Sequence, residues 1–284
     1  MTTLAALLDV LSLEATGEGR FRAANFSEGP GGVVFGGQIL AQVIVAAART
    51  APGKEVKSLH TVFARGAAPD APLDLEVEPL HDGRAFGSAT VTVRQGDRLC
   101  TRSLVLFSAS EPDLIRHGQP MPEVSPPEAT PASRPEPAWW EIRVVGGVDV
   151  SDPDAVGPPR LDVWTRFPDA PADPLTGQAL VAYASDGFLI GTAMRPHPGI
   201  GQSLAHVSVS TSVITHTLTF HEPVVANEWL LLAHDSPFAG RGRSYGRALV
   251  YRADGQLVAG YVQENMIRSY AEGAAPAAGA RSRY

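Results

Sequence analysis

The chain says nearly the same thing twice, and that repetition restricts its fold more than any single motif does. Residues 58–107 run SLHTVFARGAAPDAPLDLEVEPLHDGRAFGSATVTVRQGDRLCTRSLVLF, and residues 214–267 run ITHTLTFHEPVVANEWLLLAHDSPFAGRGRSYGRALVYRADGQLVAGYVQENMI. Each copy opens on a His-Thr pair, His60-Thr61 and His216-Thr217. Each continues as a strand-like run, a Gly/Arg turn, a second strand, a Gly/Asp hairpin turn and a last strand. Two copies at so long a period do not make a solenoid. They fit a duplicated domain fused in one chain, whose halves share a core while one keeps the chemistry.

Strand signals fall at Leu59–Ala64, Leu73–Leu80, Ser88–Gln95 and Leu99–Phe107, with clear alternation at Leu73, Leu75 and Val77. Gln95-Gly96-Asp97 and Asp254-Gly255 supply hairpin turns. Before the first set, ILAQVIVAAART is apolar almost all round, which marks a buried helix. The second half begins with strand signals at Trp139–Val145 and Leu161–Phe167. Asp173 and Pro174 then make a helix start, and LTGQALVAYASDGFLIGTAM reads as one mostly apolar helix. Four strands follow at Val207–Phe220, Glu228–Asp235, Ser244–Tyr251 and Gln256–Ile267. MTTLAALLDVLSLEATGEG predicts a short amphipathic helix, and Phe21 to Phe26 a first strand.

Each half is thus a buried helix beside several long antiparallel strands. A curved sheet wrapped round the helix covers its apolar surface on several sides. The fold class predicted is α+β, a double hotdog: an N-terminal hotdog over 1–109, a Pro-rich linker over 110–138, a C-terminal hotdog over 139–270 and a disordered tail over 271–284. The two helices share a Gly-Gln step, Gly37-Gln38 and Gly177-Gln178.

Composition narrows the function. A formal net charge of −7 with scattered acids lacks the basic footprint of a nucleic-acid binder. The single cysteine, Cys100, allows no intrachain disulfide and reads as a buried thiol. No apolar run approaches membrane-spanning length, and the N-terminus lacks the basic region of a signal peptide, so a cytoplasmic protein is expected. There is no G-x-S-x-G elbow, no P-loop and no metal-ligand spacing among the histidines, so no cofactor or metal is expected.

Asp186 stands out in YASDGFLIG, because a carboxylate in an apolar helix needs partners or must be desolvated. It reads either as a hydrogen-bonded structural acid or as a general base tuned by burial. Gln263, in YVQENMI, reads either as an exposed strand residue or as an amide that holds a water by donating and accepting at once. Gly36 and Gly37 open the first buried helix, where free N–H groups suit a developing negative charge; tight helix–sheet packing explains them equally well. The paired His60 and His216 suggest a structural or half-symmetric role.

Taken in order, VFGGQ, SLHTVFARGA, DGRAF, YASD, HTLTFHEP, NEWLL and GQLVAGYVQE resemble the acyl-CoA thioesterase II family across nearly the whole chain outside the linker and tail. The resemblance implies hydrolysis of acyl-CoA to free acid and CoA without a metal, with acyl-CoA as partner and a homo-oligomer as the assembly. It carries the family's catalytic Asp onto Asp186 and its Gln onto Gln263. The family's Thr/Ser position falls on Val213, which cannot hydrogen-bond a water. Strand periodicity puts Thr211 and Thr215 on the face of Val213, so Thr215 is the substitute expected to supply the hydroxyl. Gly36, Gly37, His60 and Val213 are the expected substrate contacts, and Arg65, Arg84, Arg241 and Arg243 the candidates for CoA phosphates. Two other readings remain open: a weakened or non-enzymatic acyl-CoA binder, motivated by Val213, and an enoyl-CoA hydratase, motivated by His60 beside Gly37.

Overall fold

Alternating apolar residues turn one face of each strand toward two central helices, and duplication repeats the arrangement. The computed structural model describes residues 3–26, 32–134 and 138–270. The first half comprises α1 (Leu4–Leu11), β1 (Glu14–Gly17), β2 (Arg20–Ala23), α2 (Gly36–Ala48), β3 (Glu55–Phe63), β4 (Leu73–Asp82), β5 (Phe86–Gln95) and β6 (Arg98–Ser108). The second comprises β7 (Glu141–Val144), β8 (Arg160–Arg166), α3 (Pro174–Ser185), α4 (Leu189–Met194), β9 (Val209–Phe220), β10 (Leu230–Gly240), β11 (Arg243–Arg252) and β12 (Leu257–Ser269). All these strands form one antiparallel sheet in the order β1-β2-β4-β5-β6-β3-β9-β12-β11-β10-β8-β7. The order has the same pattern from either end, which is a double hotdog. The seam is β3 against β9, from Ser58 opposite Thr219 to Val62 opposite Thr215.

The halves share one core. Leu40, Ile44 and Leu59 of the first half pack in the same buried cluster as Leu218, Phe220 and Val250 of the second. Each such side chain contributes about 1.5–3 kcal/mol on burial. The Gly-Gln step has one logic in both helices. A Cβ on Gly37 would run into the Tyr183 carbonyl of α3, and one on Gly177 into the Val224 carbonyl, so the glycines permit close backbone approach. The glutamines then tie the helices to the surrounding chain. Gln38 Oε1 accepts from the Phe26 N–H at 2.9 Å, and Gln178 Nε2 donates to the Val56 carbonyl at 2.8 Å.

Three sequence expectations change. The opening helix stops at Leu11, and Glu14–Gly17 pairs instead with Arg20–Ala23 as a hairpin turned at Gly19, whose φ is 63°. The second apolar helix is two helices, broken at Gly187-Phe188. The His-Thr pairs are out of step with the structural repeat. A two-fold axis through the seam keeps a residue on its own face, yet His60 is exposed and His216 is fully buried. It is Thr61, opposite His216 across the seam, that shares its face.

The Pro-rich segment builds no core of its own but lies on the outer face of the second half. Met121 and Val124 pack against Trp164, Leu231 and Tyr251 there, and the Trp164 indole donates to the Ser125 carbonyl at 2.9 Å. The first half's outer face leaves Leu80, Leu104 and Leu106 exposed around a groove of about 340 Å³ that also holds His60. The expected tail, 271–284, lies outside the described residues.

Candidate active site

Strand β12 sends Tyr261, Gln263 and Asn265 to the inner face, all buried, while Glu264 between them is exposed. Across the ladder on β9, His216 faces Gln263 and Val213 faces Asn265. Asp186 reaches the same place from α3, of which it is the C-cap. The helix ends there because Phe188 takes φ 68° and ψ −35°, with the Leu189 N–H donating to the Gly187 carbonyl at 2.9 Å. This is a γ-turn with positive φ, a conformation that costs about 1–3 kcal/mol and persists where its surroundings demand it.

Only 5% of the Asp186 side chain is exposed. Its Oδ1 accepts from Gln263 Nε2 at 3.3 Å and lies 3.9 Å from His216 Nδ1. Gln263 Nε2 also donates to the Ser185 carbonyl at 3.2 Å and meets His216 Nδ1 at 2.9 Å. The histidine tautomer follows from its partners. Ser185 Oγ donates to the Ala182 carbonyl at 2.9 Å, so it accepts from His216 Nε2–H at 3.1 Å, and Nδ1 is left to accept from Gln263. Burial, with a smaller push from His60, lowers the His216 pKa to about 3, so the imidazole is neutral at physiological pH.

A second buried pair buttresses the first. His234 Nδ1–H donates to the Leu161 carbonyl at 2.8 Å, so its Nε2 accepts from the Tyr261 hydroxyl at 2.7 Å. The Tyr261 ring stacks on His216 with centroids 5.5 Å apart. Burial lowers the His234 pKa to about 4 and, with the Asp186 charge, pushes the Tyr261 phenol well above its ordinary value.

The first half completes the site. A Cβ on Gly36 would sit 2.6 Å from Asp186 Oδ2 and 3.2 Å from the Phe63 ring, so only glycine brings the N-terminus of α2 this close to the carboxylate. No side chain caps that N-terminus. The Gln38 and Ile39 N–H groups bond the Phe35 carbonyl, which leaves Gly36 and Gly37 at the start of the helix without an intrahelical acceptor, and the positive end of the helix dipole points at Asp186.

The structure therefore brings Asp186, Gln263 and Gly36 together, with Val213 further along β9 opposite Asn265, and parts them from others. A β-bulge leaves Ile214 unpaired, so Thr215 lies opposite Glu264, on the face turned away from Gln263. Thr211 keeps the Val213 face; Thr215 does not. His60 points into the outer groove and hydrogen-bonds Thr217 Oγ1 at 2.7 Å, which separates it from Gly37 by the thickness of the sheet and removes the geometry of a hydratase. Gly37 is explained by its approach to α3. Arg65, Arg84, Arg241 and Arg243 are all exposed. Among the described residues no group of three or more His, Cys, Asp or Glu is placed to hold a metal, and no helix is long and apolar enough to cross a membrane.

Ser185, Tyr261 and Asn265 escaped the sequence reading. Asn265 carried a usable signal, since it stands two residues after Gln263 on one strand. His216 was read there only as half of a pair with His60, in a structural or half-symmetric role, and its contact with Gln263 was not foreseen.

Residues 27–108 match the acyl-CoA thioesterase N-terminal domain, and residues 118–267 match the acyl-CoA thioesterase C-terminal domain. The chain is 29% identical to mouse (Mus musculus) acyl-coenzyme A thioesterase 8, over 91% of this chain and 88% of that protein. It is 28% identical to Haemophilus influenzae acyl-CoA thioesterase 2, over 83% of this chain and 87% of the other. Among solved structures it superposes on a tesB protein of Mycobacterium avium subsp. paratuberculosis with a TM-score of 0.80 and 29% identity, covering 93% of this chain and 99% of that one. For an acyl-CoA thioesterase II from Mycobacterium marinum the TM-score is 0.79 at 28% identity, with 94% and 99% covered.

Proposed function

The chain belongs to the acyl-CoA thioesterase family and is a thioester hydrolase, and from that premise we propose that it hydrolyses acyl-CoA by direct water attack, with Asp186 as general base and Gln263 holding the water. The observation that carries this reading is the pairing of a buried Asp186 carboxylate with Gln263 at 3.3 Å, while Gln263 Oε1 is buried with no partner among the described residues. The nitrogen end of the amide is committed to Asp186, Ser185 and His216, so the oxygen end is the one available to a water.

A water in that position gives one hydrogen to Gln263 Oε1 and the other to Asp186, which leaves a lone pair for the thioester carbon. As the new C–O bond forms, negative charge gathers on the thioester oxygen, where the uncapped N–H groups of Gly36 and Gly37 are the donors at hand. Collapse of the intermediate breaks the C–S bond. The proton on Asp186 passes to sulfur, giving CoA thiol and free acid. Neutral His216 takes no part in proton transfer; it fixes the tilt of the Gln263 amide.

The test is thiol release from acyl-CoAs of several chain lengths by the parent and by Asp186→Asn. Release by the parent and its near abolition in the variant are expected; equal turnover would remove Asp186 from the mechanism. Val213 supports a second reading, an acyl-CoA binder without turnover. Tight binding by calorimetry, with no thiol released at any chain length, would favour it.

A further inference from the structure

Val213 puts an alkyl group on the inner face of β9 where a hydroxyl would serve a water. Directly across the ladder stands Asn265, fully buried, on the same strand and face as Gln263 and two residues beyond it. Its Nδ2 donates to Ser244 Oγ at 3.3 Å, and its Oδ1 has no partner among the described residues. A buried amide used at one end only costs free energy, which makes it a group to explain rather than filler. A half-turn about χ2 gives Oδ1 the Ser244 hydroxyl as donor and presents the N–H pair to the face shared with Gln263 and Val213.

On the hydrolytic reading above, we propose that Asn265 is the third polar contact of the attacking water, donating an N–H to it in the place of a hydroxyl at 213. The count of hydrogen bonds closes. The water gives its two hydrogens to Asp186 and Gln263, takes one from Asn265, and keeps one lone pair for the thioester carbon. The polar group has crossed from β9 to the facing position on β12, so the site is complete without Thr215 and without a hydroxyl on β9.

The experiment compares Asn265→Leu, Val213→Thr/Asn265→Leu and Asp186→Asn with the parent by thiol release and thermal unfolding. Leucine keeps the branched outline of asparagine without its polar atoms, at the loss of one hydrogen bond to Ser244 Oγ. The expected result for Asn265→Leu is a 10- to 100-fold lower kcat, a KM within threefold and a retained cooperative unfolding transition. Adding Val213→Thr returns at least tenfold of the lost kcat, because the hydroxyl again faces the water. A kcat for Asn265→Leu within twofold of the parent overturns the proposal, as does a loss that Val213→Thr leaves untouched. If Asn265→Leu loses its cooperative unfolding transition, Asn265→Ala is read by the same kcat and rescue criteria. Normal turnover by the Asn265 variant beside a silent Asp186→Asn overturns the role of Asn265 alone; full activity in Asp186→Asn overturns the hydrolytic reading itself.

Discussion

On the inner face at the seam, Thr61 of β3 and Ser103 of β6 hydrogen-bond each other at 2.7 Å and are fully buried. Their neighbours in the second half, His216 of β9 and Gln263 of β12, also pair, but Gln263 Oε1 and Asn265 Oδ1 are left over. The Thr61–Ser103 pair closes on itself and the His216–Gln263 pair does not, although Gln42 Oε1 and Thr101 Oγ1 of the first half are also left over. The helices differ in the complementary way. α3 is capped by Asp173, which accepts from the Thr176 N–H at 2.9 Å, with Pro174 in its first turn. α2 has no cap and presents its N-terminus to Asp186. On the proposed mechanism the chemistry is therefore not the property of one half. The second supplies the carboxylate and the amides, and the first supplies the positive end of a helix.

The largest effect expected from that division is at the two aspartates beside the helix ends. Asp186→Asn should lower kcat by about 10²- to 10⁴-fold, the usual contribution of a positioned base. Asp173→Asn should leave kcat unchanged, since asparagine caps as well as aspartate. Steady-state thiol release on the two variants measures the contrast; equal losses would mean that both act through folding.

The next effect tests whether the first half takes part at all. Gly36→Ala places a methyl 2.6 Å from where Asp186 Oδ2 now sits. The side chain can swing away, so the protein should fold, but the carboxylate is displaced. A shift of that size costs about a hundredfold in rate. Unaltered kcat with unaltered circular dichroism would confine catalysis to the second half.

Much of this contrast was legible in the sequence, and the reasons for the rest are specific. The alternation at Leu73, Leu75 and Val77, the Gly-Gln steps and the apolar helices fixed the strands, the halves and the burial of Asp186. A bulge at Ile214 has no alternation signature, because it inserts one residue without changing composition, and it reversed the face of Thr215. The helix break falls at Gly187-Phe188, but the positive φ is taken by Phe188 and not by the glycine beside it, so the sequence did not show the turn's geometry. His60 and His216 aligned in the repeat yet sit on adjacent rungs of the seam, where one step changes the face.

Acid should separate the halves less sharply but in a set direction. The second half buries His216 and His234, with pKa values lowered to about 3 and about 4, while His60 and His81 of the first half are exposed. Between those values and the unfolded value of about 6.5, the unfolded chain binds the extra protons. Stability is therefore whole above pH 6.5 and is lost as pH falls toward 4. At pH 5 each buried histidine accounts for about 2 kcal/mol of that loss. Urea unfolding at pH 7 and pH 5 should show the drop, and His234→Gln should shrink it by roughly that amount. An unchanged pH dependence in His234→Gln would mean that this ring is solvated in solution.

The smallest effect is expected where Thr61 and Ser103 close on each other. Replacing Thr61 and Ser103 together, as Thr61→Val and Ser103→Ala, removes donor and acceptor at once and leaves neither unsatisfied. Such paired replacements are close to neutral, within about 1 kcal/mol, whereas Ser103→Ala alone strands a buried hydroxyl and should cost more than the pair. Thiol release should be the same in the parent and the double variant. A double variant with a kcat lowered tenfold or more would mean that the quiet half holds the site's geometry through this hydrogen bond, because Thr61 lies directly opposite His216 across the seam.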